Sequence, residues 1–502
     1  MIPLQSLGVV DAGATHVGET EIMAHALANA SAIEMQDAQL IKRSSEFVNE
    51  YGRVNDNDEF TTGGTENPNH MMGTFVILWP YGMGGIETKR PTKVPYDVHV
   101  RALIQRQGKQ FRLHHNFIFQ AFGVLQKRQL CRSACLQVQR KSFLTNQLAF
   151  QALTPQDLMV ASGEEKRKAP FSNPVVKALR GQISGLRAKV MGTDESRIKI
   201  RGQIRGMCVM KGPPSLWITI NPSDTGDPIA QVLAGESIDL DTFDKSCGPN
   251  SEQRATTIGA DPYAAAKFFH FIIASLLEEL FGIRAYKPLS RVSRRDGVFG
   301  KVASYIGTAE AQGRGTLHMH MIIWLVGSLT ASKMQQALRT ESFRDRVKNY
   351  IKANIKADLD GADESKINGM PRVPALSYSR PVDPREEGSD RQAHIFEMQL
   401  AKAVQHHKCR KEACLVVKKS RVRCKRCAPF PLSEHDYVNE NGEWGPKRTY
   451  SYINNWNPPL MQCVWANQNI KLITNGSETR DIAFYISLYV AKRQANSKVG
   501  IS

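Results

Sequence analysis

Along the 502-residue chain the period of the apolar positions changes several times, and each change marks an element. In PYAAAKFFHFIIASLLEELFG, Phe268, Ile272, Leu276 and Leu280 recur at helical spacing. Asp261-Pro262 supplies a start for that helix and Gly282 a stop. Asn173-Pro174 likewise predicts a helix that runs through Val190. Leu216–Asn221, in GPPSLWITINPSD, is an apolar run bounded by prolines and turns, and predicts a strand. VFGKVASYIGTAEAQ and LHMHMIIWL then read as two strands joined by a sharp turn through Gly313 to Gly315, a hairpin. A polar helix over about 330 to 356 and a Pro-, Ser- and Asp-rich loop to about 392 follow.

The second hairpin strand carries a chemical question. Residues i and i+2 of a strand share a face, so His318, His320, Ile322 and Trp324 lie on one side, and Leu317, Met319, Met321 and Ile323 on the other. A strand apolar on both sides is buried, and two buried imidazoles need hydrogen-bond partners or a metal. The spacing alone leaves both readings open. Glu310 and Gln312 are also i, i+2, and folding back across the turn brings that face near the histidines. Two nitrogens and an oxygen with open positions suit a catalytic Mg²⁺ or Mn²⁺ better than a closed structural zinc site. Arg314 in the turn either holds a phosphate or decorates an exposed loop.

Charge narrows the partner. Lysine and arginine number 66 against 48 acids, a net +18, which points to a polyanion. Residues 1–70 hold eleven acids and three bases, so the remainder is more basic still. Val98 to Gln156 contains no acid, while Arg112, Lys127 and Arg128 lie among Phe111, Phe117, Phe119 and Phe122. That mixture reads either as a surface where bases stack and phosphates pair, or as a solvated basic face over an aromatic core. No run approaches about eighteen apolar residues and the first residues lack the basic start of a signal peptide, so a soluble intracellular protein without a membrane partner is expected.

Two further clusters stand toward the C-terminus. Cys409, Cys414, Cys424 and Cys427 have the spacing Cys-x4-Cys-x9-Cys-x2-Cys, acceptable for a tetrahedral zinc knuckle, with His406 and His407 as alternatives for the fourth ligand. Nine bases between Lys408 and Arg426, among them Lys418, Lys419, Arg421 and Arg423, face the single acid Glu412 and would press such a knuckle against DNA. In DIAFYISLYVAKR, Tyr485 and Tyr489 are one helical turn apart with Lys492 on the next. They are core residues, or nucleophiles toward a phosphodiester if a cation stabilises the developing charge.

Taken together, EAQGRGTLHMHMIIWL and the later YISLYVAK resemble the Rep-type, histidine-hydrophobic-histidine endonuclease region of Helitron transposons. GPPSLWITINPSD and NNWNPPLMQCVWANQNIKLI resemble blocks that precede these motifs, so four blocks in order span about residues 80 to 495. The resemblance implies that His318 and His320, with Glu310 or Gln312, hold Mg²⁺ or Mn²⁺. It implies that Tyr485 and Tyr489 attack single-stranded DNA at transposon ends to form a 5′-phosphotyrosine, with Lys492 aiding the charge. It also implies nuclear DNA transposition. Full Helitron proteins carry a helicase, but the chain has no GxxxxGK[ST] phosphate loop, so a helicase supplied elsewhere, or a fragment, is expected. The rival reading is a catalytically decayed, Helitron-derived DNA-binding protein. A zinc deaminase is disfavoured because HMH stands where that chemistry needs His-x-Glu.

The expected fold is α+β: a central antiparallel sheet of the Rep nuclease type flanked by helices, with an N-terminal basic region and a small zinc knuckle. The expected domains are an acidic leader (1–70), a basic DNA-binding region (71–165), a nuclease palm (171–356), a loop (357–392), and the knuckle with the tyrosine helix (393–502).

Overall fold

The computed structural model describes residues 69–475 apart from 87, 89–90, 93, 127–145, 168, 188–189, 191–193, 241–247, 287–290, 312–314, 371–382, 412–413 and 419–420. The acidic leader, Lys127, Arg128 and the tyrosine helix therefore lie outside the described residues, apart from the leader's last two positions. The chain divides into two compact units, one formed by 1–202 with 491–502 and the other by 203–490.

In the first unit the basic stretch is built on a core. Phe111 and Phe117 are fully buried, edge-to-face with each other and with Trp79, while Phe75 meets Phe117. These two phenylalanines are packing residues rather than stacking platforms for bases, since edge-to-face pairing consumes their ring faces and edges. Phe119 is exposed, and Arg112 is half-buried beside the core. A second cluster joins Phe150, Leu158, Val176 and Leu179, and the helix Pro155–Lys166 opens on a capping box between Thr154 and Asp157.

The second unit is α+β around an antiparallel five-stranded sheet. Its strands are β1 (Leu216–Asn221), β2 (Asp296–Gly297), β3 (Gly300–Ala311), β4 (Leu317–Leu325) and, far along the chain, β7 (Asn467–Leu472). The order is β7-β1-β4-β3-β2. A separate ribbon pairs β5 (Leu415–Lys418) with β6 (Arg421–Cys424). One sheet face is apolar: Leu216, Ile218 and Ile220 of β1, Met319, Met321 and Ile323 of β4, and Ile470 of β7 share one core. Three helices add to it, α1 (Pro262–Ser275) through Phe269, α2 (Glu341–Asn354) through Ile351 and α4 (Pro458–Val464) through Leu460. A second core, around Trp456, Met461 and Leu359, takes Met398 and Leu400 from α3 (Ser389–Leu400).

Helix α1 ends as expected at Gly282, whose φ of +66° suits glycine, but its last turn, Leu276–Leu280, widens into a π-helix. The helix expected over 330 to 356 is two, Ala331–Leu338 and α2, because Thr340 is extended at φ −90° and ψ 135° and its hydroxyl donates to the Ala337 carbonyl. The stretch expected as loop contains a helix at Glu364–Gly369, capped by Asp363 accepting from the Lys366 N–H. Among the described residues no helix is long and apolar enough to cross a membrane.

Candidate metal centre and cysteine cluster

The hairpin β3–β4 sets the centre by register. Glu310 pairs with His318 and Thr308 with His320, while on the other side of β4 Thr219 pairs with His320. Since β1 and β4 give alternate residues to the apolar core, His318, His320, Trp217, Thr219 and Asn221 occupy the opposite face. Both histidines are buried there, at 7% and 5% exposure, which removes water as their partner.

Three ligand atoms converge. His318 Nε2 lies 2.9 Å from His320 Nε2 and 3.1 Å from Glu310 Oε2, and His320 Nε2 lies 3.3 Å from the same oxygen. A cation about 2.0 to 2.2 Å from each of three ligands holds those ligands about 3 Å apart, so the set fits a divalent ion. Burial foremost, and the adjacent His318, push His320 down to about 4 against the pull of Glu310. A neutral imidazole is the form that ligates. On its far side His320 Nδ1 is 3.0 Å from Thr219 Oγ1, and the Trp217 ring packs 5.5 Å from the imidazole centroid. With the proton on Nδ1, donated to Thr219, the Nε2 lone pair faces Glu310 and His318.

Thr219 was not singled out in the sequence. Its signal was the alternation in LWITI, where Trp217 and Thr219 interleave with core residues. Thr219→Val should weaken Mn²⁺ binding roughly tenfold, read by calorimetry, and Thr219→Ser should restore it. Unchanged affinity in the valine variant would leave Thr219 a packing residue. Asn467, Asn469 and Lys471 of β7 face β1 in the same register, and Asn221 Nδ2 donates to Asn467 Oδ1 at 3.1 Å. Gln312 and Arg314 lie outside the described residues; among the described residues Glu310 is the carboxylate grouped with the two histidines.

The cysteine cluster assembles differently from its spacing. Ligand atoms of His407, Cys409, Cys414 and Cys424 lie within 4.8 Å of one another. Cys427 is outside this group: it is exposed, with φ +63°, and its N–H donates to the Cys424 carbonyl to close a turn. The fourth position therefore belongs to His407, whose Nε2 is 3.2 Å from Cys424 Sγ and 3.3 Å from Cys409 Sγ. His406 turns away to the Tyr450 hydroxyl, 3.2 Å distant. Backbone N–H groups of Arg410 and Arg426 donate to the sulfurs of Cys414 and Cys424 at 3.2 and 3.3 Å. Desolvation opposes ionisation of Cys424 most strongly, but the backbone donors at Arg426 and Ala428 together with hydrogen bonds from Cys409 and Cys414 lower its pKa. Desolvation, and then Arg426, lower His407. One nitrogen and three sulfurs, with the imidazole biased neutral and one thiol biased ionised, make a donor set that fits Zn²⁺.

Lys418 and Arg421 form the last backbone pair of the β5–β6 ribbon, Arg423 is exposed, and Lys419 lies outside the described residues. Tyr485, Tyr489 and Lys492 are likewise outside them.

Residues 99–323 match the family model described as the Helitron helicase-like domain at N-terminus, and this similarity covers a span that holds β1, β3 and the candidate metal centre. Among the curated proteins none matches.

Proposed function

We propose that the protein is a metal-dependent endonuclease and strand transferase for single-stranded DNA, of the Rep type used by rolling-circle transposons. The convergence of Glu310 Oε2, His318 Nε2 and His320 Nε2 on a buried sheet face, inside the Helitron-related span, carries this reading. These three residues would hold Mg²⁺ or Mn²⁺, which would polarise the scissile phosphate. Thr219 orients His320, and the buried face excludes water from its ring.

The tyrosines are assigned from the sequence resemblance. Tyr485 or Tyr489 gives up its phenolic proton and its oxygen bonds to phosphorus; the bond to the 3′-oxygen breaks, and that oxygen takes up a proton. One phosphodiester replaces another, so the reverse reaction can join a new 3′-hydroxyl. Lys492, one turn on, would stabilise the phenolate.

The test is incubation of the purified chain with labelled single-stranded oligonucleotides and Mn²⁺, followed by a denaturing gel. A covalent adduct is expected. Tyr485→Phe and Tyr489→Phe should differ in nicking, since one hydroxyl at a time can lie in line with the leaving oxygen, and the double variant should form no adduct. Wild-type adduct formation by the double variant would place the nucleophile elsewhere. No adduct from the wild-type chain, with binding retained, would favour the catalytically decayed reading.

A further inference from the structure

The proposed nicking step assigns the β5–β6 ribbon no role, and the pattern of side chains along the ribbon is unusual. Leu415 pairs with Cys424, Val416 with Arg423, Val417 with Val422 and Lys418 with Arg421. Alternation places Leu415, Val417, Val422 and Cys424 on one face. At the base of that face Leu415 and Cys424 are half-buried, whereas farther along the ribbon Val417 is 75% and Val422 65% exposed. Two branched apolar side chains thus stand directly opposite each other, one pair short of the ribbon's last backbone pair, Lys418 with Arg421. Arg423 is exposed on the ribbon, and Lys408, Arg410, Lys411, Lys425 and Arg426 are exposed in the segments that flank its root, part of nine bases set against one acid between 408 and 426.

This charge selects a nucleic acid as the partner, and the valines select how it is met. A ribbon that reads a groove does so with donors and acceptors aimed at base edges, and valine has neither. Apolar side chains engage DNA by wedging against an unstacked base step. A wedge must also be stiff. Cys414 immediately precedes β5 and Cys424 ends β6, so a metal held by this cluster would clamp both legs of the ribbon at its root.

We propose that the ribbon is a strand-separating wedge at a junction between double- and single-stranded DNA. Val417 and Val422 stack on the last base pair, and the lysines and arginines of the ribbon and its flanking segments hold the phosphates of the diverging strands. The proposal rests on the nicking reading for the nature of the partner: an enzyme that cuts one unpaired strand gains from a device that holds the duplex open beside the cut.

The experiment compares binding of the full chain to a forked duplex, a single strand and a blunt duplex, with 2-aminopurine at the fork's last base pair. The wild-type chain should prefer the fork over the single strand by about tenfold and raise the 2-aminopurine fluorescence. Val417→Ser with Val422→Ser should lose both effects while single-strand affinity, zinc content and nicking of a single strand persist. Val417→Thr with Val422→Thr keeps the β-branching that suits a strand, and should lose most of the preference as well. Wild-type behaviour in either variant whose zinc content is intact overturns the proposal. So does equal binding of fork and blunt duplex with silent 2-aminopurine, the signature of a ribbon lying in the major groove. Because binding is read apart from cleavage, absence of a covalent adduct with the fork preference intact would overturn the nicking reading and leave the wedge standing.

Discussion

Glu310→Gln will reduce Mn²⁺-dependent nicking by about a thousandfold or more, because it removes the one carboxylate from a set of three ligands and with it the charge that holds a divalent ion. His318→Ala and His320→Ala should do the same, but each also opens a void in a buried strand. The glutamine variant, nearly equal in volume, is the cleaner measurement. Single-strand affinity should stay within about twofold, since phosphate contacts made by lysine and arginine supply most of it. Chelation of the wild-type chain should reproduce the variant. Nicking by Glu310→Gln at the wild-type rate and the same Mn²⁺ concentration would show that the three groups are a hydrogen-bonded core cluster and nothing more.

The cysteine cluster yields the second large effect. Elemental analysis should find about one zinc per chain, and Cys409→Ser, Cys414→Ser, Cys424→Ser and His407→Ala should each lose it. Loss should expose the segment around residues 405 to 430 to protease, because the ribbon closes on few contacts besides its own ladder. Cys427→Ser should keep both zinc and protection. That contrast discriminates between ligand sets: a zinc-free Cys427→Ser protein beside a zinc-loaded His407→Ala protein would restore the four-cysteine knuckle.

The parts legible in the sequence are those where a local pattern and a local cause coincide. Strand Leu216–Asn221 was bounded by its prolines, and the start of α1 by Asp261-Pro262, whose carboxylate accepts from the Ala264 N–H. The central antiparallel sheet follows from the hairpin. The α+β class is therefore as expected, whereas the relation to the Rep nucleases remains part of the proposal. What escaped was set by distant contacts. NQNIKL of β7 has poor strand propensity, and its amides are satisfied only in the fold: Asn467 Nδ2 donates to the Val404 carbonyl and to Gln405 Oε1, and the buried Gln468 accepts from the Asn457 N–H. The knuckle's fourth position stayed open between Cys427, His406 and His407 for a related reason. Spacing ranks cysteines by their distance along the chain, while His407 enters the cluster because its N–H is held by the Tyr452 carbonyl at 2.7 Å.

The pairing of β1 with β7 also bears on how the chain comes to fold. Asn221 sits opposite Asn467, a separation of 246 residues, while the ligands of the metal centre span only residues 310 to 320. During synthesis the hairpin and its two histidines can form early, but β1 keeps an unpaired edge until the last strand emerges. A fragment cut at the limits of the family match, residues 99–323, would end inside β4 and leave that edge permanently open. Such a fragment would carry the three candidate ligands of the metal centre and still be prone to pair with its own copies through β1, so a boundary for recombinant work belongs after Leu472, where β7 has covered that edge.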